Sequence, residues 1–366
     1  MEQTSLIEEY LMPEEWKKVA EKILQDKKIG LVIGATDTGK SICTLLFANF
    51  WAKHGKKVGI VDIDMGQSDL GPPATMGMSV IDKPVNSFKE IIADALYFVG
   101  STSPLNYFLP TICGAKKLVD EGVKKGAEII ILDTTGLVKG ITGRTLKEYL
   151  IEIISPHYIL ALQKKDELEH ILKNFILNEE ISIYRMSPCD EVRRKIYFQR
   201  REKREEKFRE YFKQSSPVDL NLKNLVIKGS YYGSGITLGE QDLGYLEKVL
   251  TAELIYAERI EEGVFVIIRE KLPERFNDFL EMKRRFNTEK IIITDENKFK
   301  NLLVSLDDYQ GFVVNLGIIQ HFDFKRKILN IYSPLKNQDK VFSVKFGTIK
   351  IGLDGTELGK IFPREI

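Results

Sequence analysis

The stretch Gly34-Ala35-Thr36-Asp37-Thr38-Gly39-Lys40-Ser41 decides the fold, because it matches the phosphate-binding pattern G-x-x-x-x-G-K-[ST]. Its glycines let backbone N–H groups approach a phosphate closely. Lys40 supplies a positive charge to the outer phosphates, and Ser41 offers a hydroxyl to Mg²⁺. An apolar strand at 29–33 precedes the loop, and a helix at 41–54 follows it. This context predicts a P-loop that binds a purine nucleoside triphosphate, ATP or GTP, through Gly34 to Ile42.

Short apolar runs alternate with helices over the first half of the chain. The predicted strands are Ile29–Ile33, Lys57–Ile63, Glu128–Leu132, Tyr158–Leu162 and Ile181–Tyr184. Continuous apolar strands that alternate with helices are typical of a parallel sheet covered on both faces. We therefore expect an α/β domain with a doubly wound, mainly parallel sheet over residues 1–216. It includes an arginine-rich lid at about 190–212.

The pattern changes after Pro217, where strand-like segments separated by turn residues dominate. The predicted strands there are Val264–Arg269, Lys290–Thr294, Phe312–Leu316, Ile328–Tyr332, Val341–Phe346 and Ile349–Leu353. This predicts a smaller, β-rich C-terminal domain at 217–366. The glycine-rich segment Gly229–Gly235 lacks a phosphate-loop spacing and is better interpreted as turns.

Composition narrows the class of protein. The chain has 366 residues, a length that favours two domains, and 54 basic residues against 53 acidic ones give a net charge of +1. A protein that coats nucleic acid is usually far more basic, so we expect any nucleic-acid contact to be confined to one cleft. Three widely spaced cysteines favour a reducing compartment, and no apolar run approaches the roughly 20 residues of a membrane span. We expect a cytoplasmic protein without a membrane partner.

Acidic residues follow two of the predicted strands. Asp62 and Asp64 end the strand after the P-loop helix, and Asp133 ends the strand at 128–132. Strand alternation predicts that Asp62 and Asp64 point to the same side, in the crevice at the carboxyl ends of the strands. Carboxylates there can hold Mg²⁺ and accept a proton from a hydroxyl nucleophile. The alternative is that they cap the next loop. We predict Ser41 and Asp64 as metal ligands, with Asp62 and Asp133 as further candidates.

Basic residues cluster between Val192 and Arg209. Arg200 and Arg204 are four residues apart, so they share one face of a helix. Such a pair can neutralise charge on transferring phosphates. The alternative is a solvated helix, since several glutamates are interleaved. The Asn-Lys-x-Asp element of many GTPases is not found, because Lys164-Lys165-Asp166 lacks the Asn.

In chain order, four motifs resemble those of the polynucleotide 5′-hydroxyl kinases. They are Gly-x-Thr-Asp-x-Gly-Lys-Ser at 34–41, Asp-x-Gly-Gln-Ser at 64–68, Thr-Thr-Gly at 134–136 and Arg-x-x-x-Arg at 200–204. This family includes the kinase subunit of the mRNA cleavage and polyadenylation factor and the pre-rRNA-processing kinase. The likeness extends over nearly the whole chain. It favours a prokaryotic-type member without the large N-terminal domain of the eukaryotic subunit.

The resemblance implies transfer of the γ-phosphate of ATP or GTP to the 5′-OH end of RNA or DNA, with Mg²⁺ as cofactor, as a step of RNA processing. Asp64 matches the acid that activates the hydroxyl, Lys40 matches the P-loop lysine, and Arg200 and Arg204 match lid arginines. These four are the predicted catalytic residues. Lys195 stands where the family has a further lid arginine, and lysine cannot make the planar bidentate contact. Further polynucleotide or phosphate contacts implied by the resemblance are Gln67, Thr102, Ser103 and Thr134.

Two other functions fit the same residues. One is a nucleotide-bound, non-catalytic scaffold in RNA processing. The other is a small-molecule kinase or GTPase on the same fold. Transfer of labelled phosphate to a 5′-OH oligonucleotide distinguishes the kinase from both. RNA and DNA, single-stranded and duplex ends, and ATP and GTP all stay open as substrates. Protein partners and oligomeric state stay open as well.

Overall fold

The computed structural model describes residues 12–25, 28–188, 197–271, 278–362 and 365–366. The chain divides into two compact units, residues 1–204 and 205–366. The division falls within the segment predicted as the arginine-rich lid, ahead of the domain boundary predicted after residue 216. Lys195, one of the predicted phosphate contacts, lies outside the described residues.

The first unit is built on one mixed sheet. Its strands are β1 (Lys28–Gly34), β2 (Val58–Asp62), β3 (Thr75–Ile81), β4 (Ala95–Phe98), β5 (Ile129–Asp133), β6 (Tyr158–Leu162) and β7 (Ser182–Met186). Its helices are α1 (Glu14–Leu24), α2 (Lys40–Lys53), α3 (Phe108–Lys124), α4 (Gly140–Ile154), α5 (Glu169–Leu172) and the start of α6 (Tyr197–Phe212). The strand order is β4-β3-β2-β5-β1-β6-β7. The five strands from β2 to β7 in this order are parallel, and β3 and β4 add an antiparallel edge.

Helices cover both faces of this sheet. Ile129 and Ile131 of β5 share a buried cluster with Trp51 of α2. The intervening Ile130 meets α3 on the other face, since a Cβ added to Gly122 would lie 3.3 Å from Ile130 Cδ1. Successive residues of a strand point to opposite faces, so both faces of β5 are buried. The predicted doubly wound, mainly parallel sheet is confirmed.

The antiparallel edge is not predicted by the sequence analysis. Strand β3 reads Thr-Met-Gly-Met-Ser-Val-Ile and lacks the continuous apolar run that marks the parallel strands. Gly77 interrupts it for a packing reason, because a Cβ there would lie 2.7 Å from Leu70 Cβ. A glycine inside a strand weakens the sequence signal even where close approach requires it.

The second unit is rich in strands, as predicted. They are β8 (Ser216–Asn221), β9 (Val226–Lys228), β10 (Ile236–Thr237), β11 (Leu254–Ile260), β12 (Gly263–Ile268), β13 (Ile291–Asp295), β14 (Leu302–Asp307), β15 (Val313–Asp323), β16 (Ile328–Ser333), β17 (Ser343–Ile351) and β18 (Glu357–Lys360). Its further helices are α7 (Glu240–Leu250) and α8 (Phe279–Arg285). One sheet has the order β10-β11-β12-β13. The other has the order β18-β17-β14-β15-β16-β8, with β9 paired to β17. The two strands predicted at 341–346 and 349–353 are a single strand, β17, which continues through Gly347.

Aromatic residues fill the core that the two sheets of this unit share. Tyr232, Phe265, Phe299 and Phe322 belong to one buried cluster. The segment Gly229–Gly235 forms turns, as predicted, and Gly233 N donates to the buried Glu258 carboxylate at 2.8 Å. A carboxylate in that position disfavours a bound phosphate. Over the described ranges, none of the helices combines the length and apolarity needed to cross a membrane.

Candidate active site

The loop between β1 and α2 folds tightly around its own backbone. Asp37 and Gly39 adopt φ angles of 59° and 85°, in the left-handed region, and α2 begins at Lys40. The Lys40 ammonium donates to Ala35 O at 2.8 Å, and Thr38 Oγ1 donates to the same carbonyl at 2.9 Å. Gly39 offers no side chain to cap α2, so the first N–H groups of the helix are suited to an anionic ligand.

A serine and an aspartate meet beside the start of α2. Ser41 Oγ donates to Asp133 Oδ2 at 2.5 Å, while the buried Asp133 Oδ1 has no hydrogen-bond partner among the described residues. Burial raises the pKa of Asp133 to about 7, although the Lys40 charge and the Ser41 hydrogen bond oppose this shift. The two side chains form an oxygen-rich corner of the kind that Mg²⁺ prefers.

Asp62 organises the turn after β2. Its Oδ1 accepts from Asp64 N at 2.9 Å, and its Oδ2 accepts from Asp69 N at 2.5 Å and Leu70 N at 3.3 Å. Asp62 is buried opposite Asp133 in the β2–β5 register, and burial, together with the neighbouring carboxylates, raises its pKa well above the ordinary value. Because backbone N–H groups occupy both oxygens, the structure favours an orienting role for Asp62.

Asp64 lies in that turn and lines a cavity. Its Oδ1 accepts from Gly66 N and Gln67 N, both at 3.1 Å. The carboxylate is half-buried, and its orientation is fixed through one oxygen. Strand β2 ends at Asp62, so Asp64 belongs to the turn, and only Asp64 of the pair faces the cavity.

The first turns of α6 bring basic side chains to the same cavity. Arg200 Nη2 lies 2.6 Å from Asp37 Oδ2, and Gln67 Nε2 donates to Arg200 O at 3.2 Å. Lys203 Nζ lies 3.5 Å from Asp69 Oδ1, and the largely buried Arg204 is also part of the lining. These contacts attach the lid helix to the P-loop and to the turn after β2.

The cavity has a volume of about 530 Å³, within the usual size range of small-molecule sites. The predicted residues that line it are Thr36, Asp37, Gly39, Lys40, Ser41, Ile42, Asp64, Gln67, Thr102, Ser103, Asp133, Arg200 and Arg204. Of the predicted residues that the structure describes, five do not line it: Gly34, Ala35, Thr38, Asp62 and Thr134. Gly66, Thr135 and Gly136, which belong to the motifs at 64–68 and 134–136, also line it. Lining residues that were not predicted from the sequence are Leu45, Asp69, Phe88, Pro104, Leu137 and Lys203.

Thr134 lies behind the cavity wall. It is fully buried, and its hydroxyl donates to Val32 O at 2.8 Å and accepts from Lys147 Nζ at 2.9 Å. Burial lowers the pKa of Lys147 to about 7. Lys147 was not predicted from the sequence, although a signal exists. Lys147 stands four residues after Gly143 and three before Leu150, on the stripe of α4 that is buried.

The first unit belongs to the class of P-loop phosphotransferase domains. It has a P-loop between a central parallel strand and a helix, acids at the ends of two neighbouring strands, and basic side chains from the start of α6 that line the same cavity.

Comparisons with known proteins define the family. The family model described as the mRNA cleavage and polyadenylation factor CLP1 P-loop matches residues 34–214. A polyribonucleotide 5′-hydroxyl-kinase of Pyrococcus furiosus is 33% identical over 358 residues, which cover 97% of each chain. One of Pyrococcus abyssi is 33% identical over 329 residues, covering 90% of this chain and 89% of the relative. The chain belongs to the polyribonucleotide 5′-hydroxyl-kinase family.

More distant comparisons agree with the fold. The polyribonucleotide 5′-hydroxyl-kinase Clp1 of Bos taurus is 28% identical over 214 residues, covering 54% of this chain and 48% of that protein. A chain in the solved structure of a wild-type Clp1p–Pcf11p complex has a TM-score of 0.57 and 12% identity. That match covers 95% of this chain and 78% of the other.

Proposed function

We propose that this protein is a polynucleotide 5′-hydroxyl kinase, which transfers the γ-phosphate of a nucleoside triphosphate to the 5′-OH end of RNA or DNA. One observation carries the proposal. The P-loop lysine, a turn-held carboxylate and two lid arginines line a single cavity: Lys40, Asp64, Arg200 and Arg204. Phosphoryl transfer needs in-line positioning and charge neutralisation more than covalent chemistry, and this set supplies both.

The P-loop holds the phosphate donor. Its backbone and the start of α2 bind the phosphates, and Lys40 neutralises the outer ones. Lys40 leaves its contact with Ala35 O, 2.8 Å away, when a phosphate oxygen takes that place. Arg200 and Arg204 stabilise the charge on the transferring group.

Asp64 activates the acceptor. Its carboxylate accepts the proton of the 5′-OH as the oxygen attacks the γ-phosphorus and the bond to the β-phosphate oxygen breaks. The N–H groups of Gly66 and Gln67 fix one carboxylate oxygen. Gln67, Thr102 and Ser103 line the same cavity, in positions that suit contacts with the terminal nucleotide.

Mg²⁺ fits the corner formed by Ser41 and Asp133. The unpaired, buried Oδ1 of Asp133 and the Ser41 hydroxyl are hard oxygen ligands, and Asp64 lines the same cavity. In the described ranges, no three His, Cys, Asp or Glu side chains are grouped to hold a metal by themselves. This suits an ion that shares its coordination with water and phosphate oxygens. When bound, Mg²⁺ supplies charge neutralisation at the phosphates.

The free thiols of Cys43 and Cys113 favour a reducing compartment, and we place the reaction in the cytoplasm. The test is an end-labelling assay with γ-labelled ATP or GTP and matched RNA and DNA oligonucleotides, single-stranded and duplex, carrying a 5′-OH. The expected result is transfer by the wild type and its loss in Asp64→Asn and Lys40→Ala. The same oligonucleotides carrying a 5′-phosphate are the negative control.

The outcomes separate the kinase from its alternatives. Tight nucleotide binding without transfer to any end supports the scaffold. Transfer to a nucleoside or metabolite, but not to an oligonucleotide, supports a small-molecule kinase. Either result contradicts the proposed function.

A further inference from the structure

A buried lysine lies behind the wall of the cavity. Lys147 of α4 is fully buried, and its Nζ donates to Thr134 Oγ1 at 2.9 Å and to Thr135 O at 2.7 Å. Thr135 Oγ1 is also within reach, at 3.4 Å. Thr135 lines the cavity, whereas Lys147 does not. The ammonium therefore acts on the cavity through these two threonines.

The segment 134–138 is packed closely on its other sides. A Cβ added to Gly136 would lie 2.8 Å from both N and Cα of Thr36, so this backbone rests directly on the P-loop. A Cβ added to Gly143 of α4 would lie 2.5 Å from the backbone carbon of Val138. Lys147 holds the part of the segment nearest β5. The contact with the P-loop allows almost no inward movement of the segment, so its outward movement depends on the contacts behind it, which include Lys147.

Burial disfavours the charged form of this lysine. Burial lowers its pKa to about 7, and the Lys40 charge lowers it further, against the effects of Asp64 and Asp133. None of its hydrogen bonds among the described residues reaches a carboxylate. A methionine would fill similar space without the desolvation of a charge. A buried amine with a perturbed pKa that donates a hydrogen bond to a residue lining the cavity is a candidate for a functional role.

We propose that Lys147 is a positioning residue for phosphoryl transfer, which through its hydrogen bonds holds Thr135 and Gly136 against the P-loop and, in its protonated form, adds positive charge near Asp64 and Asp133. This inference rests on the proposed kinase function. Lys147 neither contacts substrate nor exchanges a proton in the reaction. Its loss loosens the wall between the P-loop and the acidic side chains, so turnover falls while nucleotide binding is retained.

The experiment compares Lys147→Met with Arg144→Met in the full-length protein. Arg144 is on the same helix and pairs with Glu148 at the surface, 2.6 Å away. A misplacement of about 1 Å costs roughly 10²-fold in rate, so we expect kcat of Lys147→Met to fall on the order of 10²-fold. Its dissociation constant for a fluorescent ATP analogue should stay within about threefold of wild type, since the P-loop is intact. Arg144→Met should match wild type in both.

Chemical rescue separates charge from packing. Lys147→Ala should regain part of its turnover with added ethylammonium and none with ethanol, which lacks the charge. If Lys147→Met keeps the wild-type kcat, the proposal is wrong. It is also wrong if nucleotide binding and the melting temperature are lost together, because the role is then structural.

Crystal structures of the two variants keep the inference testable apart from the kinase assay. The backbone of 134–137 should be displaced from Thr36 in Lys147→Met and should keep its wild-type position in Arg144→Met. If wild-type protein transfers no phosphate, the proposed function fails. The positioning claim is then decided by these structures, and an unchanged position of 134–137 in Lys147→Met overturns it.

Discussion

Arg200 and Asp37 form an ion pair that joins the lid helix to the P-loop. Arg200 Nη2 lies 2.6 Å from Asp37 Oδ2, and the two side chains are 27% and 18% exposed. Asp37 adopts the left-handed conformation within the P-loop. Gln67 donates to the Arg200 carbonyl and adds a second contact from the turn that holds Asp64. The pair therefore fixes the orientation of a cation that lines the cavity, and under the proposed function this cation neutralises the transferred phosphate.

Removing the acid of this pair should reduce turnover more than stability. We expect Asp37→Asn to lower kcat about tenfold, because Arg200 loses its orientation. A partly exposed pair contributes about 1 kcal/mol or less, so the free energy of unfolding should change little. Arg200→Ala should lower kcat on the order of 10³-fold.

Steady-state kinetics measures kcat, and urea denaturation measures the free energy of unfolding. Glu253→Gln, which breaks an exposed pair with Arg269 in the second unit, is the control. Unchanged kcat in Asp37→Asn would contradict the orienting role.

The buried ammonium of Lys147 should make stability depend on pH. Its pKa in the folded protein is about 7, below the ordinary 10.5. Between these values the unfolded chain holds a proton that the folded chain lacks, so the free energy of unfolding rises with pH. The charged groups that act on Lys147 are Lys40, Asp64 and Asp133, and they are unchanged in Lys147→Met.

We therefore expect wild-type protein to gain stability relative to Lys147→Met as pH rises from 7 to about 9.5. Trp16 and Trp51, both in the first unit, report unfolding by fluorescence in urea. Arg144→Met should follow the wild-type pH dependence. A constant difference between wild type and Lys147→Met across this range would show that the ammonium is not destabilised by burial.

Asp62 should affect stability and turnover indirectly, because it positions the backbone of the turn that carries Asp64. Its two oxygens accept three backbone N–H bonds, from Asp64, Asp69 and Leu70. Asparagine offers one acceptor oxygen, so Asp62→Asn leaves buried N–H groups unpaired, at about 1–3 kcal/mol each. We expect a lower free energy of unfolding and a kcat reduced roughly 10²-fold, since Asp64 loses its position.

The matched control for this change is Asp94→Asn. Asp94 also accepts a backbone bond, from Val80 N at 2.8 Å, but it lies at the antiparallel edge and does not line the cavity. The Asp94→Asn variant should have a lower free energy of unfolding and an unchanged kcat. Equal losses of kcat in both variants would argue that Asp62 has only a general structural role.

Local sequence patterns predicted the parts of this site that lie close together in the chain. The P-loop depends on spacing within eight residues, and the parallel strands depend on apolar runs, so both could be predicted. The sequence could not distinguish the roles of Asp62 and Asp64. Strand β2 ends at Asp62, so the alternation of side chains between the two faces of a strand does not extend to Asp64. Lys147 was missed because its importance depends on a contact with Thr134, thirteen residues earlier, which periodicity alone does not reveal. The edge strand β3 was missed because Gly77 and Ser79 interrupt its apolar pattern, and β4 was missed because it is only four residues long.

Gly136 should be the most sensitive glycine at the cavity. A Cβ there would lie 2.5 Å from Thr36 Oγ1 and 2.8 Å from the Thr36 backbone, which cannot move without displacing the P-loop. We expect Gly136→Ala to weaken binding of a fluorescent ATP analogue about tenfold or more, because overpacking of this kind costs about 1–3 kcal/mol. Equilibrium titration measures the change.

Gly244→Ala is the control, since nothing lies within 4 Å of its Cβ position in α7. It should bind nucleotide like wild type and gain about 0.5–1 kcal/mol of stability from helix propensity. Wild-type affinity in Gly136→Ala would show that the Thr-Thr-Gly segment can move away from the P-loop, and that the wall held by Lys147 is not rigid.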